Sequence, residues 1–456
     1  MIGTDRLSPR LAALFTVVAV ASAACSSSPA ASSPAASEAA PSASAAAPST
    51  APSEASLGAV QEVTFWQFSD RQVEIDAYQA LIDKFEAAHP DIKVKMEIVP
   101  WSDQQEKLTT ALASGGLPDV SMLGNDVVAQ YQHTGALAPL DDYIATESTR
   151  LGQDLTKDLW PGDKLYYYLD GHWWGMPVAE DTLAMFYRKD LLAAAGLKPP
   201  KTWDDYKKAA QKLTKGGVFG AGLLQSIDYV TLQTFMSVYL SYGARFLNDQ
   251  GQCGFDSPEF KQALDYYTSI FKAGWTPPDS ATYAFPDMEA QWKGGKLAMF
   301  IDSAYLWADT QSAAPDVAKN MAVAPVPSGP KGQFAFLGGW PLVLWNTSKV
   351  KDAAAAWILF ATSPENVVEL DRAAGELPGR VSNAALAPWS SEPYTVFLGQ
   401  MPNAYPYQYP DAEIPQMGGL EVAAVQTAVQ AVALGQASID DATTTLCSTI
   451  NDALSH

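Results

Sequence analysis

Paired polar side chains recur where predicted strands end: Asp70 with Arg71, Asn125 with Asp126, and Glu180 with Asp181. Aromatic residues gather near the same breaks, including Trp66, Tyr229, Tyr305, Trp307, Trp340 and Tyr405. In open α/β sheets ligands bind beyond the carboxyl ends of strands, so these positions point at one cleft. Carboxylates, amides and guanidinium groups make paired hydrogen bonds with adjacent hydroxyls, while Trp and Tyr faces pack on the C–H face of a sugar ring. The chemistry such a lining suits is capture of a hydroxyl-rich solute. Two positions carry a second reading: Trp66 divides evenly between core and ligand contact, and Asp70 can equally cap the following helix.

Signatures of turnover are sparse. The four histidines, His89, His133, His172 and His456, are dispersed with no pair at metal-ligand spacing, so neither a metal nor a cofactor is expected. No nucleophile elbow and no glycine-rich phosphate loop is present, and Gly217, Gly220 and Gly222 read as a turn before a strand. Two facing Asp residues can hydrolyse a glycoside, which keeps an extracellular carbohydrate-active enzyme as one alternative and a receptor for a non-sugar solute as another. The expectation is a binder, not an enzyme. A formal net charge of −21 opposes nucleic acid as a partner.

The elements that must position these residues alternate. Val63 to Phe68 reads as a strand, and Ala77, Leu81, Ile82 and Phe85 follow at helical spacing until His89-Pro90 stops them. A strand from Ile92 to Val99, a helix from about Asp103 to Ala113, and a strand from Asp119 to Leu123 continue the order. This β-α-β-α-β succession predicts a parallel sheet with helices on both faces. An aromatic break from Lys164 to Gly175 precedes a restart at Thr182 to Tyr187, and Thr202 stands as a helix N-cap. A second break, dense in Pro and Gly, spans Pro325 to Gly339, and a helical tail begins at Leu420.

The N-terminus has a different character. Arg6 and Arg10 precede an apolar run from Leu11 to Ala21, too short to span ~30 Å of hydrocarbon at 1.5 Å per residue, so it reads as a secretory signal. Cys25 resembles the acceptor cysteine of a bacterial lipoprotein, although Ser22 stands where that motif usually has Leu, so plain secretion stays open. From Ser26 to Ser56 the only charges are Glu38 and Glu54 and there is no aromatic residue, which predicts a disordered tether. Cys253 and Cys447 remain, and either a disulfide or two buried thiols fits the sequence.

Leu117-Pro118-Asp119-Val120 through Gly135-Ala136-Leu137 resembles the Pro-Asp … Gly-x-Leu segment of extracellular solute-binding proteins that feed ABC importers. The resemblance is greatest to the carbohydrate-binding group that includes maltose-binding protein. Phe85 to Pro90, Gly175-Met176-Pro177, Phe186 to Asp190, Gly196 with Pro199 to Trp203, Gly295 to Met299 and Ile414 to Met417 extend it in the right order. It implies an α/β fold of two lobes, each a mainly parallel sheet flanked by helices, with interlobe crossings and hinge closure. The implied division is a signal over 1–24 and a lipidated Cys25 with tether over 25–57. A first lobe then takes 58–177 and 337–385, and a second takes 178–336 and 386–456. Crossings are expected near Pro177 to Ala179, Phe336 to Gly339 and Ser382 to Pro388.

By the same resemblance Asp70, Arg71, Asn125, Asp126, Asp181, Tyr305 and Trp307 are ligand contacts, with Tyr229 in a similar stacking region; Trp66, Gln67, Asp302, Gly339, Trp340, Arg380 and Tyr405 complete the candidate set. Arg380 is as well suited to a surface salt bridge. Leu123 stands where a maltose binder has Trp, which removes one stacking platform. The implied protein is a lipid-anchored monomer on the outer face of the cell membrane. It takes a carbohydrate, expected to be an oligosaccharide, and passes it to ABC permease subunits.

Overall fold

The computed structural model describes residues 60–409, 414–415, 417 and 420–455, so the expected signal, Cys25 and tether lie outside the described residues. β1 (Gln61–Gln67) pairs in parallel with β2 (Ile92–Ile98) and with β3 (Val120–Met122). Between β1 and β2 runs the helix Gln72–Ala88, which buries Tyr78, Leu81, Ile82 and Phe85 at the spacing of one helical face. It ends before Pro90, whose missing N–H and fixed φ cannot continue it. Phe65 of β1 packs tilted against Tyr78 and edge-on against Trp357 at 5.5 and 5.8 Å, and Phe85 reaches Trp357 at 5.3 Å. These rings are the centre of the first lobe's core.

After a hairpin of β4 (Tyr168–Leu169) and β5 (His172–Trp173), β6 (Met176–Asp181) joins the same sheet. The chain leaves that sheet at Asp181, beyond the crossing expected at Pro177 to Ala179. β7 (Ala184–Arg188) then lies between β8 (Met299–Asp302) and β9 (Met321–Ala324) as the sheet of the second lobe. The return passes through β10 (Ala335–Phe336), which pairs with β13 (Ala404–Tyr405), into β11 (Gly338–Leu344). With β12 (Leu377–Pro378) the first sheet has the order β12-β6-β11-β3-β1-β2.

The mainly parallel character expected of each sheet holds only where β1 pairs with β2 and β3 in the first sheet. β11 runs antiparallel to both β3 and β6, and β7 runs antiparallel to β8 and β9. The reason is topological. β6 ends at the cleft, so a chain that returns from the other lobe must enter there and run the opposite way.

Helices supply the second lobe's mass. Tyr229–Tyr242 is buried on nearly all sides, packed on Pro258–Lys272 and Leu420–Ala433. Asp228 caps it by accepting the Val230 N–H at 3.0 Å. Thr202 caps Trp203–Leu213 through the Asp205 N–H, as its sequence position predicts. Cys253 and Cys447 are joined as a disulfide with Cα atoms 5.2 Å apart, which ties the helix Ile439–Leu454 to the loop before Pro258. Among the described residues no helix is long and apolar enough to cross a membrane.

Candidate ligand-binding site

The strand ends of both sheets meet at one seam. From the first lobe come Gln67 closing β1, Asp70 and Arg71 after it, Asn125 and Asp126 after β3, and Glu180 and Asp181 closing β6. From the second come Asp302 and Tyr305 at the end of β8, with Tyr229 opening the helix beside it.

Asp181 and Asp302 hold the centre. Ser303 donates its hydroxyl to Asp181 Oδ2 at 2.9 Å and its N–H to Asp302 Oδ1 at 2.7 Å. Asp181 Oδ1 and Asp302 Oδ2, both buried, have no partner in the protein. Burial lifts the Asp181 carboxyl to about 6, against the hydrogen bonds from Ser303 and the Thr182 backbone. Burial, followed by the charge of Glu289, lifts Asp302 well above the carboxylate range. Gln67 is fully buried and neither of its amide atoms is bonded. Buried polar groups are normally satisfied, so this concentration of unpaired atoms marks a place built for polar contact.

Arg71 bridges the lobes. It donates to Glu74 at 2.7 Å, to Glu376 at 3.0 Å and to the Ala374 carbonyl at 3.0 Å. Across the seam it lies 3.9 Å from Asp309 and its guanidinium carbon sits 4.9 Å from the centre of the Tyr305 ring. Burial works against its charge, but Glu376, Glu74 and Asp309 outweigh it and raise its pKa. Tyr305 is held in turn by donating to Glu289 at 2.9 Å. The lobes touch closely here: a Cβ on Gly375, whose φ is +76°, would stand 3.8 Å from the Tyr305 Cα.

An aromatic platform flanks this network. Trp101 packs on Trp340 at 5.9 Å and on Phe68 at 5.7 Å, and its residue is 37 % exposed. Trp101 is not among the ligand contacts expected from the sequence. The one signal for it is its position directly after β2, behind Pro100. It offers aromatic surface near the strand ends, where Leu123 cannot. Gly339, with φ +147°, lets β11 approach β6: a Cβ there would meet the Ala179 carbonyl oxygen at 2.8 Å and Glu180 Oε2 at 3.1 Å.

Other expected contacts have other work. Arg380 is fully buried and donates to the carbonyls of Thr362 and Leu155, so it is neither a cleft contact nor a surface ion pair. Trp66 is buried beneath the helix Gln104–Ser114 with the Lys107 ammonium 4.4 Å from its ring, on the face of β1 opposite Gln67. Asn125 is buried and donates to the Leu337 carbonyl at 3.4 Å, which Tyr166 also engages, so it secures the crossing. Asp126 folds back over Gly124, where a Cβ would lie 2.5 Å from its Oδ1, and burial raises its pKa. Tyr405 packs at a tilt against Tyr409 at 3.9 Å and Phe334 at 5.4 Å, beside the β10–β13 pair. Trp307 lies about 200° round the helix from Tyr305, so it cannot share the Arg71 contact. Asp70 is exposed, and Tyr229 is 53 % exposed with its ring 6.1 Å from Phe285.

Residues 71–368 match the model of the bacterial extracellular solute-binding protein family, more than half of the chain. The chain belongs to that family. It is 31 % identical over 320 residues to a binding protein of Brucella abortus, covering 67 % of this chain and 75 % of that one. It is 29 % identical to the mannitol-binding protein of Pseudomonas aeruginosa, over 62 % of this chain and 65 % of that one. The maltose-bound MalE3 structure of T. maritima superposes with a TM-score of 0.74 at 26 % identity, covering 85 % of this chain and 98 % of that one. The fold is therefore the two-lobed one of these receptors. The solute-binding protein is a binder and not an enzyme.

Proposed function

We propose that this solute-binding protein captures a carbohydrate or polyol between its lobes and delivers it to an ABC permease. The observation that carries the reading is the union, at one seam, of unpaired buried acceptors on Asp181 and Asp302 with the Trp101–Trp340 platform. Acceptors of this kind take hydroxyl protons, and the platform takes a ring face. The relative named for mannitol and the structure solved with maltose support a solute of this class. Closure across the Arg71–Tyr305 contact sequesters the solute and presents both lobes to the permease. The mature chain begins at Cys25, carries a lipid there, and works as a monomer on the outer face of the membrane. The lobes comprise 58–177 with 337–385 and 178–336 with 386–456, with the first boundary moved past Asp181 so that β6 stays whole in the first lobe.

A thermal-shift screen of the body from Leu57 tests this against sugars, polyols, amino acids, peptides and polyamines. A solute at a hundred times its dissociation constant adds about 2.7 kcal/mol of stability, a clear upward shift. A shift by sugars or polyols is expected. A shift confined to the other solutes would discard the carbohydrate.

A further inference from the structure

We propose that the solute carries a positive charge, received by Asp181 and Asp302, so that its class is an amino-bearing sugar or polyol. This deepens the sugar-receptor reading and rests on it. Asp181 is 7 % exposed and Asp302 1 %. One serine satisfies one oxygen of each, and the second oxygen of each has no protein partner. Gln225 adds an independent observation: it follows the extended segment that bridges to Phe300 of β8, so it sits at the same end of the sheet. It is fully buried and both of its amide atoms are unpaired, as is the neighbouring Ser226 hydroxyl.

The nearby cations are committed elsewhere. Arg71 serves Glu74, Glu376 and Asp309, and Lys293 serves Glu289 at 3.2 Å and Asp309 at 3.6 Å. Among the described residues neither Asp181 nor Asp302 makes an ion pair. A solute hydroxyl can donate one hydrogen bond to such an oxygen but brings no countercharge. An ammonium donates up to three and cancels one charge. An anionic sugar would bring further negative charge to a site with no uncommitted cation. Burial's upward push on both carboxyls agrees with the missing countercharge.

Titration calorimetry at neutral pH on the body from Leu57 tests this with matched sets. The sets are glucosamine, glucose and glucuronate; 1-amino-1-deoxysorbitol and sorbitol; and the deacetylated glucosamine disaccharide with cellobiose. In at least one set the amine should bind about tenfold or more tighter than its neutral twin, with no heat from glucuronate. Asp302→Asn and Asp181→Asn should each shrink that ratio, with circular dichroism reporting that each variant is folded. Neutral twins that bind as well as or better than every amine would overturn the charge and leave the sugar receptor intact. Silence from every member would overturn both.

Discussion

The guanidinium of Arg71 and the ring of Tyr305 face each other at 4.9 Å, joining a residue that follows β1 in the first lobe to one that follows β8 in the second. Arg71 is anchored on its own side by Glu74, Glu376 and the Ala374 carbonyl, so it reaches across as a fixed strut. Replacing it leaves Glu376, which is buried, without its counterion.

Arg71→Met should therefore lower stability by roughly 2–4 kcal/mol, less than for a wholly buried pair because the arginine is part exposed. Adding Glu376→Gln should recover a good part of that loss. Urea titration of the single and double variants measures both, and a double variant no more stable than the single would remove Glu376 as the cause.

Arg380 makes the opposite case. Arg380→Ala leaves the Thr362 and Leu155 carbonyls unsatisfied inside the first lobe. The expected cost is roughly 3–5 kcal/mol of stability, with solute affinity of the folded fraction unchanged. Denaturation and calorimetry on one preparation separate the two effects; a selective loss of affinity would restore it to the cleft.

Trp101 should behave in reverse. It is part exposed, so Trp101→Ala should change stability little while weakening solute binding by about 1–2 kcal/mol through the lost platform. Equal affinity in the variant would show that the solute does not rest there.

Asp181, raised by burial to about 6, sets a pH dependence. A raised acid holds its proton more readily in the folded state than in the unfolded one, so protonation favours folding. Stability should fall as pH rises from about 4 through 6, by up to about 3 kcal/mol for this group. Asp163, raised by burial to about 7, extends the decline. Melting of the solute-free protein from pH 4.5 to 8 should show it, and Asp181→Asn should flatten the lower part. A wild-type curve that rises over this range would contradict the account.

Much of this was legible in the residues themselves. The period of Tyr78, Leu81, Ile82 and Phe85 and the stop at Pro90 place the first helix, and the polar pair Glu180–Asp181 points to the end of β6. What was hidden depends on distant partners. Arg380 in its Leu-Pro-x-Arg turn gives no sign that it serves carbonyls 18 and 225 residues away. Trp101 looks like an isolated loop aromatic until Phe68 and Trp340 converge on it. The direction of β11 is likewise invisible in an apolar run, because it follows from which lobe the chain returns from.

The most direct test is calorimetric titration of the body and of Asp181→Ala with mannitol, maltose and maltotriose alongside the amine series. The account predicts one solute bound per chain and a loss of about 1–3 kcal/mol in the variant, which leaves solute donors unmatched. No binding of any sugar or polyol, or an affinity untouched by Asp181→Ala, would contradict it.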